Sequence, residues 1–150
     1  MKNKEWSPAE LKSKMEAYCA AAEHCENEAR MRLRQWGSDA KTEDAIIDYL
    51  LAEKYIADDR YAKAFVHDKL LYQGWGRVKI EYMLRGKRIA YDVIQEALKS
   101  IDENDYNRIL NHLVSQRLND LTGLYRFLTQ RGFTFDEIKN AVNQQQKSDA

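Results

Sequence analysis

From Leu11 onward the apolar residues recur every three or four positions, with polar residues between them, almost to the end of the chain. That period is the helical one, and it predicts a succession of short amphipathic helices. Ser7-Pro8-Ala9-Glu10 marks the first start: Ser7 caps, Pro8 takes the first helical position and Glu10 reaches back. Leu11, Met15, Tyr18, Cys19 and Ala22 follow as one stripe. A second helix is expected from about His24 to Trp36, with Ala29, Leu33 and Trp36 inward, stopped by Gly37-Ser38-Asp39. Thr42 is placed as the cap of a third, carrying Ala45, Ile46, Tyr49 and Leu50. Tyr55-Ile56-Ala57 breaks the pattern, and Asp58 or Asp59 caps a fourth helix with Tyr61, Ala62, Phe65, Val66 and Leu70 inward.

The corner Gly74-Trp75-Gly76 opens a fifth helix with Ile80, Met83 and Leu84, and Gly86 near its end. Ile89 and Tyr91 lead into a sixth with Val93, Ile94, Ala97, Leu98 and Ile101. Asp102 caps a seventh, whose stripe is Tyr106, Ile109, Leu110, Leu113 and Val114. Asp120 starts an eighth with Leu121, Leu124, Tyr125 and Leu128, stopped at Gly132. Thr134 and Glu137 form a second capping box before Ile138, Ala141 and Val142.

Nine short helices invite a search for repeats. Leu84, Ile89, Tyr91, Ile94 and Leu98 match Leu128, Phe133, Phe135, Ile138 and Val142 at a constant offset of 44. Ile46 and Leu50 match Ile94 and Leu98 at an offset of 48. The expectation is an all-α protein of three tandem three-helix repeats, residues 7–52, 58–101 and 102–146, with a frayed tail at 147–150. Units so small are marginal alone and stabilise one another by docking, which predicts an elongated, curved array.

One proline and six glycines in 150 residues fit a nearly all-helical chain. Net charge is zero, yet it is segregated. Seven acids between Asp39 and Asp59 face only Lys41 and Lys54, a balance of −5. Between Arg60 and Arg88, eight Lys or Arg face Asp68 and Glu81, a balance of +6. Solvated helix faces account for any single charge; the local +6 points further, to a contact surface for phosphates or an acidic groove. The candidate partner-binding residues are therefore Arg60, Lys63, Trp75, Arg77, Lys79, Arg85, Lys87 and Arg88.

No apolar run approaches the ~20 residues of a membrane span, and the N-terminal Met-Lys-Asn-Lys-Glu is not a signal core. A cytoplasmic protein without membrane contact is expected, with Cys19 and Cys25 as reduced thiols and Cys19 buried as a small hydrophobe. Their spacing does not make a zinc site, and His24, His67 and His112 have no motif partners. No catalytic residue, cofactor or metal is expected; Asp58-Asp59 reads as a helix cap with a dipole-favoured charge.

The middle of the chain resembles the RecX family of bacterial regulatory proteins. The match runs through Tyr55-Ile-Ala-Asp-Asp-Arg-Tyr-Ala62, Ala64-Phe65-Val66, Gly74-Trp75-Gly76 with Ile80 and Leu84, and Lys87-x-Ile89 with Ile94 and Ala97-Leu98. It continues in Ile101-Asp102, Tyr106 and Arg126-Phe127-Leu128-x-x-Arg131-Gly132-Phe133 with Ile138. The resemblance implies three three-helix repeats and no enzymatic activity. It implies a monomer that binds the RecA filament, limits its growth, and so lowers strand exchange, ATP hydrolysis and co-protease activity. Contact with single- or double-stranded DNA would be weak. The family's glycine before the Ile of Lys-Gly-Ile is Arg88 here, so that turn is expected to close differently. The competing reading is a helical DNA-binding module acting as a transcription regulator, with the fifth helix as its reading element.

Overall fold

Capping chemistry sets most of the helix starts. The computed structural model describes residues 5–148, and these form α1 (Pro8–Ala21), α2 (Glu26–Gln35), α3 (Ala40–Ala52), α4 (Asp58–Leu71), α5 (Arg77–Gly86), α6 (Tyr91–Lys99), α7 (Glu103–Ser115), α8 (Leu121–Gln130) and α9 (Phe135–Ser148). The N-terminal reading above rests partly on residues 1–4, outside the described residues. Ser7 and Glu10 make the capping box of α1, and Thr134 and Glu137 that of α9. Asp102 and Asp120 accept from the amides of Asp105 and Gly123.

Several expectations are corrected. α3 is capped by Asp39, whose Oδ1 accepts from the Thr42 amide at 2.7 Å, so Thr42 lies inside the first turn. Ala57, not an aspartate, is the N-cap of α4. Ala22, Ala45 and Met83 leave their expected stripes and are exposed, while Ile47 joins the core. Cys25 is the fully buried cysteine; Cys19 is half-buried. α9 runs to Ser148, into the stretch expected to fray, and residues 149–150 lie outside the described residues.

The nine helices are arranged in repeating three-helix units. In each, the turn between the second and third helix is closed by one backbone pattern. The amides of Ser38, Ile89 and Phe133 donate to the carbonyls of Leu33, Leu84 and Leu128, five residues back. The amides of Gly37, Arg88 and Gly132 donate three residues back. Those three residues have φ of 85°, 59° and 97°, the left-handed conformation that ends a helix in this way. Arg88 therefore closes its turn as the glycines do, contrary to expectation.

This turn also corrects the register of the first unit. From Ala40 to Tyr91, the first residues of α3 and α6, is 51 positions, not 48. Glu43 then occupies the place of Ile94 and Ile138, and all three are buried. The offset of 44 between the later units holds through the surface: Tyr91 and Phe135 are both exposed.

The core is divided. Leu11, Met15, Ala29, Leu33, Ile46, Ile47, Leu50 and Ile56 form one cluster within the first unit. The second and third units share another, from Tyr61 through Leu84 and Tyr106 to Val142, and Cys25 is the first unit's contribution to it. The array is elongated. Its accessible surface is 9609 Å², against the roughly 7,900 Å² that a compact chain of its mass exposes.

Candidate functional site

The basic stretch Arg60–Arg88 spans α4, the Gly74-Trp75-Gly76 corner and α5, and the fold divides its charges among three places. The first is the junction between the second and third units. Here the N-terminus of α5 docks on the turn between α8 and α9. The Gly76 amide donates to the Arg131 carbonyl at 2.7 Å, and the Val78 amide to the Gly132 carbonyl at 3.1 Å. The Arg77 amide donates to the Tyr106 hydroxyl. These bonds satisfy the free amides of a helix that has no side-chain cap. A side chain on Gly76 would strike the Gly132 carbonyl, and one on Gly132 would strike the backbone of Lys79. Arg77 lies 3.9 Å above the Tyr106 ring and pairs with Glu103 and Glu137. Burial pushes the Tyr106 hydroxyl well above its ordinary value.

The second place is the junction between the first and second units. It uses the same two elements: the N-terminus of α2 meets the turn between α5 and α6. Cys25 is the N-cap where α5 has Gly76, and the contacts run through side chains. The Glu26 amide donates to Asp58 Oδ1 at 2.9 Å, so Asp58 caps α2 rather than its own helix. Lys87 Nζ lies 3.0 Å from Glu28 Oε2, and both side chains are about three-quarters covered. Arg60 pairs with Glu23 at 2.9 Å and also donates to the Tyr55 carbonyl. Burial raises the Asp58 carboxyl. Burial also works to raise Glu28, but the Lys87 ammonium outweighs it and holds the carboxyl low. Burial pushes the Cys25 thiol up to about 11, so it is a neutral, unreactive core group.

The third place is the outer surface. Val78, Tyr82 and Arg85 are exposed along α5, and Arg88 follows beyond its end. Lys63 is exposed on α4. Among the described residues, no carboxylate pairs with Lys63, Lys79, Arg85 or Arg88. Trp75 packs edge-on against Phe65, and the ammonium groups of Lys69 and Lys79 lie 5.1 Å and 4.2 Å from its ring centroid.

Of the eight candidates, then, Arg60 and Lys87 join one junction and Arg77 the other, while Lys63, Arg85 and Arg88 stand outward and Trp75 with Lys79 lies half-buried at the corner. Sequence reasoning missed the carboxylates that claim the junction cations. Glu28 lies 59 residues from Lys87 and Glu103 26 from Arg77, so local charge balance does not reveal them. It also missed Glu43, buried against Arg30 at 2.7 Å and Arg34 at 2.7 Å. The Arg34 guanidinium, helped by Arg30, holds the Glu43 carboxyl below its ordinary range despite burial. Its signal was an acid in a position that the other units fill with isoleucine.

Among the described residues no cluster of His, Cys, Asp and Glu could hold a metal ion, and no helix is long and apolar enough to cross a membrane. The fold defines the class: an all-α tandem-repeat protein, with Lys63, Arg85 and Arg88 exposed on its middle unit.

Comparison with known proteins agrees. The model of the RecX second three-helix domain matches residues 58–98. The chain is 35% identical over 130 residues to regulatory protein RecX of Clostridium botulinum (strain Eklund 17B / Type B), covering 79% of this chain and 60% of that protein. It is 27% identical over 124 residues to regulatory protein RecX of Vibrio parahaemolyticus, covering 77% of this chain and 79% of that one. The crystal structure of RecX from Lactobacillus salivarius superposes with a TM-score of 0.81 at 18% identity, over 91% of this chain and 95% of the other. The chain belongs to the RecX family. It spans about 60% of the length of the clostridial relatives it matches.

Proposed function

We propose that this protein binds the RecA nucleoprotein filament in the cytoplasm and limits its extension, lowering strand exchange, ATP hydrolysis and co-protease activity. Membership in the RecX family supplies the class. The observation that carries the reading within this chain is the outer face of α5, where Val78, Tyr82 and Arg85 combine apolar surface with an unneutralised cation. Such a face suits a groove built of protein and phosphate together, and apolar residues give it more than the salt-sensitive attraction of a purely basic patch.

In this reading the units are 7–52, 58–101 and 102–146, acting as a monomer along the groove. Lys63, Arg85 and Arg88 make direct contacts. Arg60, Arg77 and Lys87 act by holding neighbouring units at the spacing the groove requires.

The test is RecA's single-strand-DNA-dependent ATP hydrolysis, with this protein added below the RecA concentration. A fall at sub-stoichiometric ratios is expected, because capping one growing end affects many subunits. A Tyr82→Ala/Arg85→Ala variant should need a several-fold higher concentration for the same fall. No effect at excess, with salt-sensitive binding to a defined duplex site, would replace this reading with that of a DNA-binding regulator.

A further inference from the structure

A second set of cations crosses the junction between the second and third units, and its members are held by aromatic rings. Trp75 lies under the Lys69 and Lys79 ammonium groups, at 5.1 Å and 4.2 Å from the ring centroid. Phe127 lies under Arg117 and Arg131, at 3.9 Å and 4.9 Å. The two groups are joined at the junction. Arg131 donates to the Gln73 carbonyl beside Trp75, and Gly132 abuts the backbone of Lys79. The sequence runs Lys69, Trp75, Lys79, Arg131, Phe127, Arg117, two units wide.

Among the described residues the one carboxylate paired with any of these four cations is Asp68, 3.9 Å from Lys69 and exposed. Rings attract cations without neutralising them, so each charge is held in place yet remains free for an anion. A row of such charges fits a polymer of evenly spaced anions better than a folded acidic protein. Cations and ring faces recognise phosphate charge and stacked bases rather than base edges, so the fit is to backbone and not to sequence.

We infer that this band is a contact site for the phosphate backbone of a single-stranded nucleic acid, bound without base specificity. The inference rests on the proposed filament function, in which it assigns the DNA-facing side to the second and third units, and the tests of the two are separable.

The test is fluorescence anisotropy of a labelled ~30-nucleotide oligo(dT) titrated with the full chain between about 50 and 200 mM salt. The unaltered chain should bind, more weakly as salt rises. Lys79→Gln/Arg117→Gln should bind about tenfold more weakly at low salt, with a salt slope smaller by about 1.4, the release expected from two phosphate contacts. Lys12→Gln/Lys41→Gln removes the same charge from the first unit, including a lysine 3.7 Å over a tyrosine ring, and should bind within about twofold of the unaltered chain.

Helical content and melting are read first. If the band variant does not fold, the exposed Arg117→Gln alone carries the test, with about a threefold loss expected. Absence of oligo(dT) binding, equal loss in both double variants, or equally tight binding of a polyglutamate peptide of matched charge would each overturn the inference. Loss of oligo(dT) binding with ATPase suppression intact would support this site and leave the filament reading standing. Oligo(dT) binding without any ATPase suppression would support this site and sink the filament reading alone.

Discussion

The second junction is closed by backbone-to-backbone hydrogen bonds, with side-chain pairs added to them; at the first, each bond described uses at least one side chain. In both, the N-terminus of a unit's middle helix meets the second turn of the next unit. At the second, glycines on both sides, Gly76 and Gly132, let the chains approach until amide bonds to carbonyl. At the first, Cys25 and Arg88 take those places, and Asp58, Glu28 and Lys87 make the contacts. Arg88 keeps the left-handed turn, so what the missing glycine removes is the close approach. The difference extends to the cores. Two units share one apolar cluster across the glycine junction, while the first unit keeps its own and sends only Cys25 across. Contacts between charged side chains are weaker per pair and screened by salt. The array is thus a fused pair of units with a third attached by a looser, ionic joint.

The sharpest way to break this contrast is Gly132→Ala. Its φ of 97° and its contact with Lys79 leave no room for a methyl group, and a loss of about 3 kcal/mol in urea unfolding is expected. Arg88→Ala, the same position one unit earlier, should stay within about 0.5 kcal/mol of the parent.

Next in size is Glu43→Ala. It removes the buried acid that stands where later units have isoleucine, and leaves Arg30 and Arg34 without it. Because Arg34 is 61% exposed and can return to water, a loss of about 2 kcal/mol is expected, below the 3–5 typical of a fully buried pair. Hydrogen exchange in α2 and α3 should rise more than in α8.

Acid should separate the regions without mutation. Glu28 and Glu43 have folded pKa values below their unfolded ones. Their contribution is complete above the ordinary glutamate value of about 4.3 and is lost as pH falls through the lower folded values. Asp58 is raised by burial, so its protonation favours the fold and offsets part of that loss. On balance α2 amides such as Leu33 should lose protection below about pH 4 before α8 amides such as Leu128.

The smallest effect expected is a gain. Arg88→Gly relieves a left-handed arginine, worth about 1–2 kcal/mol, and adds unfolded-chain freedom costing about 0.4–1. Chemical denaturation should show net stabilisation of about 0.5 kcal/mol, with no tightening of the first junction while Cys25 remains.

The helices, their capping boxes at Ser7 and Thr134, and the 44-residue repeat were legible in the residues, because capping and amphipathic period are local properties. So was the gathering of cations between Arg60 and Arg88. Which of those cations face outward was decided by tertiary structure alone. Glu28 reaches Lys87 across 59 residues and Glu103 reaches Arg77 across 26, and only docking of the units brings them together. The register of the first unit was hidden for a related reason. Its core has a glutamate where the pattern asks for isoleucine, and an acid reads as buried only when Arg30 and Arg34 are seen folded against it.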